Sequence, residues 1–341
     1  MGDYGKVVTG NTPPTKDIEN YENGTYLWAS PADLGTIKSI TETKTMLSAQ
    51  GFSKTRTLPK GSVLVTCIGS TIGKAGMATK EMSTNQQINS IVVNDNNDNE
   101  FVYYAIQSAF PRYLSSIAVQ AVPIISKSAF EILPNNRPYL QEQKKIGKFL
   151  SLLDERITTQ NKIIDKLQSL IKGIAYKLFQ TARTTKPLLE FAPNITSGTD
   201  KSGSGTIPLY GSTGIIGTVK NASQKGNIVL VARVGTIGTV QYVNEPCGVS
   251  DNALIVEAGE MTKYIYHFLK TYNFARITSG TTQPLITASS LKKAAIPTYD
   301  IESQTRIVLC LNGLEKKLDI AKQYLSEIAV MKQYLLRQMF I

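Results

Sequence analysis

Two stretches of about forty residues repeat one another without a gap, and few folds accommodate that. "YLQEQKKIGKFLSLLDERITTQNKIIDKLQSLIKGIAYKLFQ" spans 139–180, and "DIESQTRIVLCLNGLEKKLDIAKQYLSEIAVMKQYLLRQMFI" spans 300–341. Gln143 aligns with Gln304, Leu153 with Leu314 and Phe179 with Phe340, each pair 161 residues apart. The first keeps apolar residues at Ile146, Leu150, Leu153, Ile157, Ile164, Leu167, Ile171, Ile174 and Leu178, with Gln160 filling one step. The second keeps them at Ile307, Leu311, Leu314, Leu318, Ala321, Leu325, Ile328, Leu335 and Met339, with Lys332 filling one step. Alternating steps of three and four put these residues on one stripe of a helix, which is the seam of a coiled coil. Pro138 and Pro297 precede the two helices, Asp300 can cap the second, and Pro187 forbids the first from running on. Each would form a rod of roughly 60 Å. Packing the stripes against each other, antiparallel, hides both and gives the chain an approximate two-fold axis.

The segments before the helices are also related. Residues 1–137 and 184–297 both open on Gly/Ser/Thr/Pro-rich sequence and continue in short β-branched strands. Each then has a polar stretch, "STNQQINSIVV" (83–93) or "VSDNALIVEA" (249–258), and a short helix, "FVYYAIQSAF" or "KYIYHFLKTY". Each closes similarly, with Pro123 matching Pro284 at the same offset of 161. The fold class is α+β. Four segments follow: a mainly-β domain at 1–137, a helix at 138–183, a second mainly-β domain at 184–297 and a second helix at 298–341.

"GSTIGKAG" (69–76) raises the question of a phosphate-binding loop. The Walker pattern needs four residues between its glycines and a hydroxyl after the lysine. Here three residues lie between Gly69 and Gly73, and Ala75 follows Lys74. The loop also occurs twice. "GSVLVTCIGSTIGKA" (61–75) matches "GNIVLVARVGTIGTV" (226–240), with Gly61 on Gly226, Leu64 on Val229 and "TIG" on "TIG". The ungapped match sets Arg233 against Ile68 and Thr239 against Lys74. A loop repeated without its lysine reads as a tight turn built on glycine's freedom at positive φ.

Lys and Arg number 37 against 26 Asp and Glu, a formal net charge of +11, which favours a polyanionic partner, nucleic acid first. Three scattered cysteines, Cys67, Cys247 and Cys310, exclude a disulfide scaffold and fit a reducing cytoplasm. Cys67 and Cys310 lie in apolar runs and read as small core residues. The one histidine, His267, reads as a packing residue on an amphipathic helix, and no ordinary zinc site can be assembled. No apolar run is long enough to span a membrane, and the first ten residues lack a signal peptide's apolar core.

Domain, helix, domain, helix resembles the specificity subunit of Type I restriction–modification systems. "QEQKKIGKFLSLLDERI" is similar to that family's spacer helix. "WASPADL" (28–34), "STNQQIN" (83–89), "IPLYGSTGIIG" (207–217), "VLVARVGTIG" (229–238) and "GVSDNALIV" (248–256) look like motifs of its target recognition domains. The resemblance covers essentially the whole chain. It implies that each domain reads one half of a split site in double-stranded DNA. The helices would set the spacing and dock two methyltransferase (M) subunits, with motor–nuclease (R) subunits joining them. It implies a prokaryotic cytoplasmic setting and no cofactor in this chain; S-adenosylmethionine, ATP and Mg would belong to the partners. Family members usually carry some residues before the first motif, which bears on the first domain's outer strand.

Phosphate contacts call for Lys and Arg, base contacts for Arg, Lys, Asn, Gln, Ser or Thr. The first domain offers Lys54, Arg56, Lys60, Lys74, Asn85, Gln86 and Gln87; the second offers Lys220, Lys225, Arg233, Arg276 and Gln283. Trp28, Tyr21 and Tyr26 read as packing residues. "NTPPT" (11–15) is a poor match to the tetrapeptide of adenine methyltransferases, and no G-x-G-x-x-G loop occurs. Asp154 and Glu155 read as solvated charges on the helix surface. The chain is therefore expected to supply recognition, not catalysis. A bifunctional methyltransferase–nuclease and a non-DNA helical scaffold are the alternatives.

Overall fold

The computed structural model of the chain describes residues 1–35, 37–116, 124–280 and 284–340. Its contacts fall into two units, Met1–Gln160 with Tyr324–Ile341, and Asn161–Gln323. Both long helices are divided between the units, so neither helix is a module apart from the domains.

In the first unit the strands are β1 (Gly5–Thr9), β2 (Tyr26–Ala29), β3 (Ser39–Ile40), β4 (Met46–Leu47), β5 (Val63–Thr66), β6 (Ala75–Ala78), β7 (Ser83–Thr84) and β8 (Ile88–Val93). The main sheet has the order β1-β8-β5-β6-β3, and β4-β2-β7 form a smaller one. Its central strand, β5, is wholly buried because both sheet faces are covered. Val63 and Val65 point one way, into a core with Phe101, Tyr104 and Ala105 of α2 (Asn99–Ser116). Leu64 points the other way, onto Leu27, Ala29, Leu34 and Ile40. Trp28 is buried and Tyr26 stacks on Phe52 with ring centroids 4.5 Å apart, so both are packing residues as expected.

The first core is completed by helix ends. Helix α3 (Lys127–Ile132) contributes Phe130, and α4 (Leu140–Gln180) contributes Leu150, with Ile146 and Leu153 packed beside it. Ser108 donates to the Leu336 carbonyl at 3.1 Å, and Phe340 and Phe101 are in ring contact at 5.3 Å. Asp154 is not the solvated charge the sequence suggested. It accepts from the Tyr104 hydroxyl and pairs with Lys332, one of the polar steps in the second stripe. Position 154 lies beside seam residue Leu153, so it turns toward the domain; Glu155, one residue on, is exposed.

The second unit repeats the plan. Its strands are β9 (Thr184–Pro187), β10 (Thr196–Ser197), β11 (Ile207–Tyr210), β12 (Ile215–Val219), β13 (Ile228–Ala232), β14 (Val240–Val243), β15 (Gly248–Val249) and β16 (Ala253–Val256), then short β17 (Thr278–Ser279), β18 (Leu285–Ile286) and β19 (Ala295–Thr298); the short helices α1 (Ala49–Ser53) and α6 (Ala288–Lys292) belong to the first and second units. The main sheet runs β10-β16-β13-β14. Val229 and Val231 of β13 face a core with Tyr264, Ile265 and Phe268. Ile228 and Leu230 face Cys247 and Val249. The parallel β2–β7 pair of the first unit has its counterpart in the parallel β11–β15 pair.

Helix α5 (Thr262–Leu269) carries the aromatic side of the second core, and α7 (Ile301–Met339) adds Ile307 and Leu311 to Ala175 and Phe179 from the end of α4. Every predicted seam position on α4 and α7 is buried or half-buried. In the first unit Asp154 meets Lys332 and Arg156 meets Tyr324, so the helices run antiparallel there. In the second, the last turns of α4 meet the first turns of α7. Gln143 and Gln304, aligned in the repeat, act alike: each side-chain amide donates back to a carbonyl before its helix, Pro138 or Tyr299. Asp300 caps α7 by accepting from the Ser303 N–H at 2.8 Å.

Cys67 and Cys247 are buried, but Cys310 is exposed, against the expectation of a core residue. It precedes seam residue Leu311 and faces outward on α7. His267 is buried as expected, with Nε2 2.8 Å from the Asn312 Oδ1. Burial holds its pKa below the ordinary histidine value, despite the side-chain bond to Asn312 and the nearby Glu315 that favour the charged form. A histidine kept neutral in the fold stabilises it above pH of about 6.5, and that contribution is lost as the pH falls. Between pH 7 and 5, amide protection in α5, corrected for the intrinsic exchange rate, should therefore fall more in the parent chain than in His267→Gln. An equal fall in both would show that His267 is not the group responsible.

Candidate DNA-reading surface

The glycine turn sits at one end of the main sheet in each unit. In the first, β5 leaves, β6 begins, β1 leaves and β8 begins at this end, since Thr66 pairs with Ile88, Val65 with Ala75 and Thr9 with Asn89. Gly69 and Gly73 have φ of 97° and 90°, and Gly235 and Gly238 have 70° and 81°. A side chain at Gly73 would meet Phe110 at 2.7 Å, and one at Gly238 would meet Phe274 at 2.7 Å. The turn therefore needs glycine for both its backbone and its packing.

Several of its N–H groups are already engaged. Gly73 donates to the Thr66 carbonyl and Lys74 to Thr71; Gly238 donates to Ala232 and Thr239 to Thr236. A phosphate cradle needs these groups free, so the turn is architecture, as its repetition implied.

Hydrogen bonds also fix which residues correspond. Thr66 N–H donates to the Lys74 carbonyl, as Ala232 does to Thr239. Cys67 donates to the Gln87 carbonyl and accepts from Ile125; Arg233 donates to Asn252 and accepts from Ile286. Arg233 thus corresponds to Cys67, not to Ile68 as the ungapped sequence match had it. Ser70 is one extra residue in the first turn, and the strands on either side hold their registers while the loop absorbs it. By the same bonds Gln87 corresponds to Asn252, and Lys74 does correspond to Thr239.

The structure gathers several candidates at this end of the first unit. Lys74 is exposed, its stem lying over Gly35, and its ammonium has no partner among the described residues. Gln86 is exposed and accepts from the Thr12 hydroxyl. Gln87 accepts from the Asn85 amide at 3.0 Å, leaving its own amide nitrogen beside Gly69. Asn85 is buried and shapes the turn through its bond from the Gln87 N–H. Arg56 is exposed at the same end and donates to the Thr9 carbonyl. Lys54 is bonded to Asn20 and paired with Asp17, which neutralises much of its field. Lys60 lies at the opposite end of β5, away from this group.

In the second unit Arg233 opens the turn and Arg276 is exposed on the short turn that supplies Phe274. Lys225 precedes β13 and Lys220 follows β12, both at the end remote from the glycine turn. Gln283 lies outside the described residues. Sequence reasoning singled out the β11–β12 loop as a motif but named no contact residue in it; its Gly211 and Ser212 carbonyls accept from Gln241 and Thr236 and bring Ser212 and Thr213 to the turn. Asn252, the counterpart of Gln87, was likewise not named. The "YGSTG" punctuation between two strands was the available signal for the loop. Burial pushes the Cys67 thiol up to about 12, so the first unit carries no charge where the second carries Arg233.

Cationic and amide groups around one rigid turn suit contact with a charged, groove-edged polymer. A sequence model of the Type I restriction modification DNA specificity domain matches residues 1–169 and 188–330. The chain belongs to this family. The MjaIX specificity subunit of Methanocaldococcus jannaschii is 30% identical over 174 residues, which cover 48% of this chain and 40% of that protein. The HindI specificity subunit of Haemophilus influenzae is 28% identical over 181 residues, 50% of this chain and 39% of that protein. The alignment thus spans about two fifths of those curated relatives. Among solved structures, an S subunit from M. genitalium matches with a TM-score of 0.68 at 20% identity, over 98% of this chain and 93% of that one. A chain from a structure of Type I restriction–modification complex assembly matches with a TM-score of 0.60 at 15% identity, over 98% and 95%. These likenesses establish the α+β fold with its long helices.

Gly238→Ala should destabilise the second unit by roughly 1–3 kcal/mol, from the left-handed backbone and the displaced Phe274 ring. A thermal unfolding midpoint unchanged from the parent's would refute this account of the turn.

Proposed function

We propose that this chain is the DNA sequence-specificity component of a Type I restriction–modification complex, and that each unit reads one half of a divided site in double-stranded DNA. One observation carries the reading. The same hydrogen-bonded turn stands at the end of both main sheets, yet its side chains differ: Cys67, Lys74 and Gln87 in one unit, Arg233, Thr239 and Asn252 in the other. A common scaffold with unlike donors is what two readers of unlike sequences require. The net charge of +11 supplies attraction to phosphates that does not depend on sequence.

The long helices bear apolar side chains turned away from the seam. In the first unit these include Phe149, Leu152 and Tyr334; in the second, Ile163, Leu170 and Ile320. Such residues suit docking of methyltransferase subunits, with motor–nuclease subunits joining the assembly. In this reading the chain is not an enzyme. S-adenosylmethionine, ATP and Mg are used by the partners, and the complex works in a prokaryotic cytoplasm.

Replacing residues 184–297 with the corresponding domain of a related chain should change one half of the motif methylated by the assembled complex and leave the other intact. A change in both halves would sink the proposed independence of the readers. Lys74→Ala should weaken binding to all duplexes and lower the salt-dependence slope by about one. An unchanged slope, measured from 50 to 200 mM salt, would remove Lys74 from the surface.

A further inference from the structure

Arg233 is half-buried, unlike the other cations of the two turns. Lys74 and Arg276 are exposed side chains. The Arg233 backbone is pinned on both sides, its N–H to the Asn252 carbonyl and its carbonyl to the Ile286 N–H, each at 3.0 Å. Its Nε is buried, with no hydrogen-bond partner among the described residues. The guanidinium has no ion pair there either. Its two terminal nitrogens are neither buried nor hydrogen-bonded among the described residues, so they, rather than the covered Nε, are the donors an outside partner can reach.

The surroundings leave room for one. A Cβ at Gly235 would meet only the Ser212 Oγ, at 3.9 Å, and one at Gly214 would meet nothing within 4 Å. Glycine backbone in the turn and in the neighbouring β11–β12 loop is thus open to the close approach of another molecule. A half-buried stem has less room to sweep than an exposed one, which favours a single orientation of its fork.

Resting on the DNA-reading function proposed above, we infer that Arg233 reads a guanine in the half-site served by the second unit. Arginine offers donors only. Guanine presents two acceptors, N7 and O6, on its major-groove edge, and adenine sets a donor beside its N7. The fork therefore matches guanine and is repelled by adenine. The first unit has Cys67 at the same backbone position, buried and without charge, so the other half-site lacks this contact.

The test uses the chain assembled with its modification partner and duplexes carrying its methylated motif. Each guanine in turn is replaced by 7-deazaguanine, which lacks the N7 acceptor. One such replacement, in the half-site assigned to residues 184–297, should weaken binding on the order of tenfold or more. The same replacement should leave Arg233→Ala indifferent, because the variant has already lost the contact. Arg233→Lys, which keeps charge and stem and guards against a folding defect in the alanine variant, should respond only weakly. The inference is overturned if no guanine in that half responds, or if Arg233→Ala responds as the parent does. If the parent complex binds all duplexes alike, the DNA-reading function falls and this inference with it; normal motif selection without a responsive guanine removes Arg233 alone.

Discussion

Thr66 and Ala232 each donate a backbone N–H across the mouth of a strand to the carbonyl of Lys74 or Thr239. That bond closes the glycine turn, and the rest of the candidate surface hangs on it. It sets which residue begins the loop, which carbonyl of the neighbouring strand that residue reaches, and which phenylalanine covers the last glycine. Side chains can then vary at fixed backbone positions. Lys74 can become Thr239 and Cys67 can become Arg233 without altering the ladder on either side. Diversity of reading therefore costs the fold little.

The domains depend in turn on the helix ends. Neither main sheet is covered by its own domain alone: Leu150, Leu336 and Phe340 complete the first core, and Ala175, Phe179, Ile307 and Leu311 the second. The junctions also hold polar groups. Asp154 with Tyr104 and Lys332 in the first unit, and Glu315 with Lys270 in the second, join domain to helix through charge-assisted bonds. Such half-buried groups penalise any slippage of a helix against its domain, because each would lose a specific partner.

Much of this was legible in the sequence. The stripes from Ile146 to Leu178 and from Ile307 to Met339 are long and strictly spaced, so burial follows from periodicity. The short β-branched strands, with their repeated glycine turn, were legible as well. Three things were hidden, each for a physical reason. The single-residue insertion at Ser70 lies in a loop, where an ungapped match has no register to violate; only strand hydrogen bonds expose the pairing of Arg233 with Cys67. The engagement of Asp154 depends on Tyr104, fifty residues earlier, and on Lys332 from the other helix. The exposure of Cys310 turns on one helical step from Leu311. At the candidate surface, residue type nominated Lys60, Lys220 and Lys225 beside Lys74 and Arg233, yet strand direction sends those three to the other end of their sheets.

The central claim is that two unlike readers, carried on one backbone scaffold, together select a divided DNA site. The most direct measurement is a genome-wide map of methylated adenines in cells expressing the modification partner with and without this chain. The account predicts a motif of two dissimilar specific parts separated by unread bases, present only when the chain is expressed. Methylation at an uninterrupted motif, or the same motif in the absence of the chain, would contradict it.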